Sequence, residues 1–122
     1  KLLTSLLLSI GINRQDVYIT SPLKYLPARG TPSDRQITHG MVHLQKQINI
    51  IRPKLIVLLG KVAAKGILKK SIEVNKMHGK FIKGTRTNYF ITYHPAAAVR
   101  FPKLKKAQEA DFKKLRKLII NL

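Results

Sequence analysis

The chain has 122 residues, with 24 Lys and Arg against 5 Asp and Glu, and so a formal charge of +19. That balance suits a polyanionic partner, and because the cations run from Lys1 to Lys117 through a 44% hydrophobic background, they belong to a folded surface rather than to a basic tail. The lack of cysteine excludes disulfides, thiolate metal sites and cysteine-ligated clusters, and no stretch is long and apolar enough to span a bilayer.

Leu2, Leu3, Leu6, Leu7 and Ile10 recur at spacings of one, three and four, which predicts a helix with one apolar stripe and Gly11 as its stop. This apolar start is followed by no small-residue cleavage site, so it does not read as a signal peptide. A chain that opens on a buried-face helix without an initiator methionine is expected to be a fragment of something longer. Asp16 to Thr20 reads as a strand, and Ser21 to Pro32, with Pro22, Pro27, Gly30 and Pro32, as a loop. Ser33 and Gln36 form a capping box that opens a helix carrying Ile37, Val42, Leu44, Ile48 and Ile51, until Pro53 ends it.

Lys54 to Leu59 is an apolar run typical of a strand covered on both faces. Gly60 turns the chain into a short helix, Lys61 to Lys70, and a weaker pair of extended segments surrounds Gly84, the second being Asn88 to Tyr93. Lys103 to Leu122 is a long helix with Leu104, Ala107, Phe112, Leu115, Leu118, Ile119 and Leu122 at helical spacing. Alternating helices and strands predict an α/β fold, a three-layer sandwich with a mainly parallel central sheet, in a single domain over residues 1–122.

In such sheets ligands sit outside the carboxyl ends of the strands. Three loops meet that description: Thr20-Ser21-Pro22, Gly60-Lys61 and His94-Pro95. Gly60 admits close backbone approach, and the amides opening the next helix, together with Lys61, can receive a phosphate. The segment from Ile91 to Arg100 is an apolar strand that stops at a histidine and enters a small-residue loop ending in arginine. A tunable hydrogen-bonding group beside a slim loop and a cation suits work on a nucleic acid. His39 and His43 lie four apart on a helix, but position 40 is Gly rather than the Glu of a zinc-protease helix and a third ligand is not evident, so no metal is expected. His78 beside Gly79 reads as a solvated turn residue. Lys103, Lys105, Lys106, Lys113, Lys114, Arg116 and Lys117 read as the wet face of the last helix, although a role in tracking a nucleic-acid backbone would use the same residues.

Three stretches carry a resemblance: Ser9 to Thr20 (SIGINRQDVYIT), Arg52 to Ala64 (RPKLIVLLGKVAA) and Thr92 to Arg100 (TYHPAAAVR). In wording, order and spacing the chain resembles the uracil-DNA glycosylase superfamily, most closely its family-4 branch, over almost its whole length. The resemblance implies a base-flipping repair enzyme that hydrolyses the N-glycosidic bond of deoxyuridine in single- or double-stranded DNA, in an intracellular, cytoplasmic or nucleoid-associated setting. His94 falls on the family's catalytic histidine, which donates a hydrogen bond to uracil O2 as the base departs. Pro95 to Arg100 falls on the DNA-intercalation segment, with Pro95 and Ala96 at its slim start, Val99 as the wedge and Arg100 as a phosphate contact. Gly60-Lys61 matches the loop that grips the DNA backbone, and Thr20 and Ser21 match the base-reading position.

The chain also departs from the family. The Gly-Glu-Ala-Pro-Gly-like loop that positions the water has no counterpart and is expected before Lys1, together with the aromatic that stacks on uracil. Ser21 stands where the family has an asparagine, and a hydroxyl lacks the amide's paired donor and acceptor. The family's iron-sulfur ligands fall on Tyr25 and Gly40, so no cluster and no other cofactor is expected. The alternative function is a catalytically inactive, basic nucleic-acid-binding module on the same fold.

Overall fold

The computed structural model describes residues 2–20 and 33–120. Helix α1 (Leu2–Ser9) ends just before Gly11, whose φ of +79° turns the chain away. A single 3-10 turn follows at Arg14–Asp16. Helix α2 (Asp34–Ile51) starts on the expected reciprocal cap, the Ser33 hydroxyl accepting from the Gln36 amide while the Gln36 side chain accepts from the Ser33 amide. It stops at Arg52, which is left-handed (φ +50°) immediately before Pro53. Strand β1 (Leu55–Leu59), α3 (Lys61–Leu68), α4 (Val74–Met77), β2 (Phe81–Ile82), β3 (Asn88–Thr92), α5 (Pro95–Arg100) and α6 (Pro102–Ile120) complete the order.

The side chains of a strand alternate between faces, and here both faces are covered. Leu55 and Val57 of β1 join Phe90 of β3 against Leu6 and Leu7 of α1 and Phe112 and Leu115 of α6. Ile56 and Leu58 join Tyr89 and Ile91 against Ala64, Ile67 and Leu68 of α3, with Ile72 and Met77 beyond them. Strand β1 is therefore apolar throughout and β3 is apolar from Tyr89 to Ile91, between Asn88 and Thr92 at its ends, as expected of strands covered on both faces.

The sheet itself departs from expectation. In place of a mainly parallel sheet, the described residues form three strands in the order β1-β3-β2, with β1 parallel and β2 antiparallel to β3. The cause is the connection around Gly84: five residues between β2 and β3 are enough for a hairpin but too few for a parallel crossover. Asp16 to Thr20 forms no strand either. Val17 is extended (φ −127°, ψ 152°), yet Val17, Tyr18 and Ile19 stay 37%, 57% and 41% exposed and join no ladder. An extended, β-branched segment becomes a strand only when a partner edge is in register with it. Among the described residues no helix is long and apolar enough to cross a membrane.

The β1–β3 register pairs Leu55 with Asn88 and Leu59 with Thr92, which brings the carboxyl ends of the two strands level. Both strands then leave the sheet at the same height.

Candidate functional site

The two chain exits touch. The Gly60 amide donates to the Thr92 carbonyl at 2.9 Å, continuing the parallel ladder one step past β1. Gly60 then adopts φ +91°, ψ 178°, a region open in practice only to glycine. The space is tight as well, since a Cβ placed there would stand 3.0 Å from the His94 Cβ. The close backbone approach expected of Gly60 is therefore an approach to His94.

His94 is the N-cap of α5, at φ −66° and ψ 138°. Its Nδ1 accepts a hydrogen bond from the Ala96 amide at 3.0 Å, and its carbonyl accepts from the amides of Ala97 and Ala98. An Nδ1 that accepts carries no proton, so the neutral ring bears its hydrogen on Nε2. The ring is exposed, and the site thus presents a single directed donor.

His94 borders an open groove of about 680 Å³. One wall is Gly60 and Lys61 at the start of α3, another is the Ser71–Asn75 stretch leading into α4, and Tyr93, His94, Ala97 and Leu104 close the rest. Lys61 is exposed here, while Glu73 pairs with Lys76 at 3.1 Å. The Tyr93 hydroxyl donates to Asn75 Oδ1 at 3.0 Å, tying the strand end to α4. Burial, and after it the Asp111 carboxylate, raises the Tyr93 phenol above its ordinary 10.0.

Of the three expected loops, Gly60-Lys61 and the His94 end of His94-Pro95 line this groove. Thr20 does not line it. Its hydroxyl donates to Gln47 of α2 at 3.3 Å, and it borders a separate apolar hollow of about 120 Å³ with Tyr18, Leu44 and Ile56. Ser21 and Pro22 lie outside the described residues, as does Tyr25. Gly40 is a buried residue of α2, and a chain without cysteine supplies no thiolate there for an iron-sulfur cluster.

Pro95 to Arg100 is a helix and not the loop that the small residues suggest. Proline at the first helical position and three alanines favour that outcome, but the cap is a histidine, which does not announce a helix start as Ser, Thr, Asp or Asn does. Ala98 faces the interior, Pro95 is half-buried, and Ala96 and Arg100 are exposed. Val99 stands 71% exposed. Phe101, unremarked in the sequence, is 51% exposed with the Arg100 guanidinium 5.6 Å from its ring centre.

His78 is corrected. It is half-buried rather than solvated, with Nδ1 3.0 Å from Asp111 Oδ2 and its ring 4.9 Å from that of Tyr93. Asp111 and Gln108 of α6, both buried, escaped sequence reasoning. The signal was present: Leu104, Gln108, Asp111 and Leu115 share helical spacing, so two polar residues interrupt an apolar stripe. His39 and His43 pack edge to face at 6.2 Å, and among the described residues no group of three or more His, Cys, Asp or Glu side chains is placed to hold a metal ion.

Gly60→Ala is expected to cost about 1–3 kcal/mol, the usual strain of a side chain in this backbone region, and to shift the His94 ring resonances; urea denaturation and NMR check both. For Tyr93, the folded chain holds the phenolic proton more tightly than the unfolded chain. Its contribution to stability is complete below the unfolded value of 10.0 and is lost as pH rises from there through the raised folded value. An absorbance titration is expected to show a phenolate component above pH 10 that Tyr93→Phe removes.

The Uracil DNA glycosylase superfamily matches residues 1–118. The type-4 uracil-DNA glycosylase of Sulfurisphaera tokodaii is 41% identical across 98% of this chain and 59% of its own length. The corresponding proteins of Archaeoglobus fulgidus and Saccharolobus solfataricus are each 36% identical, across 97% and 98% of this chain and 64% and 60% of their own. The chain thus spans about three fifths of the length of these relatives. Matched over nearly every residue, it belongs to the uracil-DNA glycosylase superfamily.

Proposed function

We propose that this chain carries the leaving-group side of a uracil-DNA glycosylase active site, with DNA as its partner. The observation that supports this reading most is the Ala96 amide on His94 Nδ1, which leaves Nε2–H as a directed donor at the groove. In the proposed reaction the bond between C1′ of deoxyribose and N1 of uracil breaks, and its electron pair moves onto the base. His94 Nε2–H donates to O2, where that charge accumulates, while water supplies the hydroxyl at C1′ and its remaining proton neutralises the departing uracil anion, leaving uracil and an abasic site. A donor aimed at charge that exists only late in bond breaking stabilises the transition state more than the bound substrate.

The groove is open, and a base inside a duplex cannot reach it without leaving the stack. Val99, exposed on α5, fills the gap left by the flipped nucleotide in this reading, and the exposed Arg100 meets a phosphate. Gly60 and Lys61, with the first amides of α3, take the DNA backbone beside His94. Thr20 and Ser21 are carried as base-reading residues by the resemblance alone. The position of Thr20 on the separate hollow favours the second reading, a basic DNA-binding module without excision.

Single-turnover uracil release from a uracil-containing oligonucleotide, with a matched thymine oligonucleotide as control, separates the two. His94→Ala is expected to slow release by about 10²–10³-fold, the usual effect of losing one such donor, while DNA affinity changes by no more than about twofold. Equal release by both proteins contradicts the role of His94. Salt-sensitive binding by the unaltered chain without any release assigns it to the second reading.

A further inference from the structure

The end of β3 is held at more points than a strand needs. The Thr92 carbonyl receives the Gly60 amide at 2.9 Å, and the Thr92 hydroxyl donates to Asp111 Oδ2 at 2.8 Å. One residue on, the Tyr93 carbonyl receives the Gln108 side-chain amide. The His78 ring nitrogen contacts both Asp111 oxygens, at 3.0 and 3.1 Å, and the same ring lies against Tyr93. His94 is the next residue in the chain.

This cluster is a poor way to gain stability. Thr92, Gln108 and Asp111 are 0%, 1% and 5% exposed, so each polar group has been taken out of water. Apolar side chains of similar volume generally serve a core at least as well as a buried charge and its partners. Gln108 is not even fully satisfied, because its Oε1 has no hydrogen-bond partner among the described residues. What the cluster does supply is direction. Each bond fixes a particular atom of the Thr92–Tyr93 backbone or side chain, and the orientation of those two residues sets the angle at which His94 leaves the sheet.

We propose that Thr92, Asp111 and Gln108 are positioning residues that lock the strand end so that His94 keeps its Nδ1 on the Ala96 amide and its Nε2–H toward the groove. None of the three borders the groove, so they act through His94 and do not touch substrate. The inference rests on His94 being the leaving-group donor, and its test has a readout that does not depend on excision.

The variants are Thr92→Val, which removes the hydroxyl at nearly constant shape, Thr92→Ser, which restores it, and Gln108→Met, which removes the amide at similar volume. Thermal unfolding identifies the folded ones, and Gln108→Met carries the test if Thr92→Val fails to fold. In long-range ¹H–¹⁵N spectra, taken where imidazole titration is complete, the parent chain and Thr92→Ser are expected to show His94 as the Nε2–H tautomer alone. Thr92→Val and Gln108→Met are expected to show a tautomer mixture. The single-turnover rate constant should fall roughly ten- to a hundredfold in those two, as expected for a displaced catalytic group, with DNA affinity within about twofold of the parent. A pure Nε2–H tautomer in folded Thr92→Val and Gln108→Met overturns the proposal, whatever the rates. A tautomer response in a chain that releases no uracil supports the positioning role and contradicts the leaving-group role of His94.

Discussion

Everything at the site depends on the parallel register of β1 and β3. Because Leu59 pairs with Thr92, the residues that follow, Gly60 on one strand and Tyr93-His94 on the other, leave the sheet side by side. A one-residue slip would turn every side chain of a strand to the opposite face and break two apolar clusters at once. The register is therefore enforced by packing far from the groove, and the contact between Gly60 and His94 follows from it. Glycine at position 60 is what lets the two exits close to contact distance.

Charge shapes the molecule in two opposed ways. The surface carries a large cationic excess, suited to a polyanion and costly only through self-repulsion. Inside, one of only five acidic residues, Asp111, is buried beneath the end of β3 with a threonine hydroxyl and a histidine ring as its partners. Placing a scarce carboxylate there is a local choice made against the general composition. It gives α6, which outwardly looks like a basic solvated helix, a second task on its inner face.

The legible parts of the sequence were those where one local rule acts alone. Ser33 and Gln36 announced α2, Pro53 ended it, and the apolar run before Gly60 gave β1 almost to the residue. That Gly60 and His94 meet at one groove was legible because each stands where a strand ends. Features set by tertiary partners were not. Val17 to Thr20 has the composition of a strand but no ladder, and Phe81-Ile82 pairs antiparallel because its connection to β3 is short. The helical form of Pro95–Arg100 was hidden by its unusual cap, and Asp111 by the many charges around it in sequence. The position of Thr20 on a different hollow from His94 follows from packing against α2, which no spacing in the sequence reports.

The measurement that bears most directly on this account is an amide chemical-shift titration of the chain with a short uracil-containing oligonucleotide. If the groove between α3 and α5 is where nucleic acid docks, the largest perturbations fall on Gly60, Lys61, His94, Ala96, Val99 and Arg100, with smaller ones at Ser71 to Asn75. Perturbations centred instead on Tyr18, Thr20 and Gln47, or spread along the outer face of α6 with the groove unchanged, would contradict it.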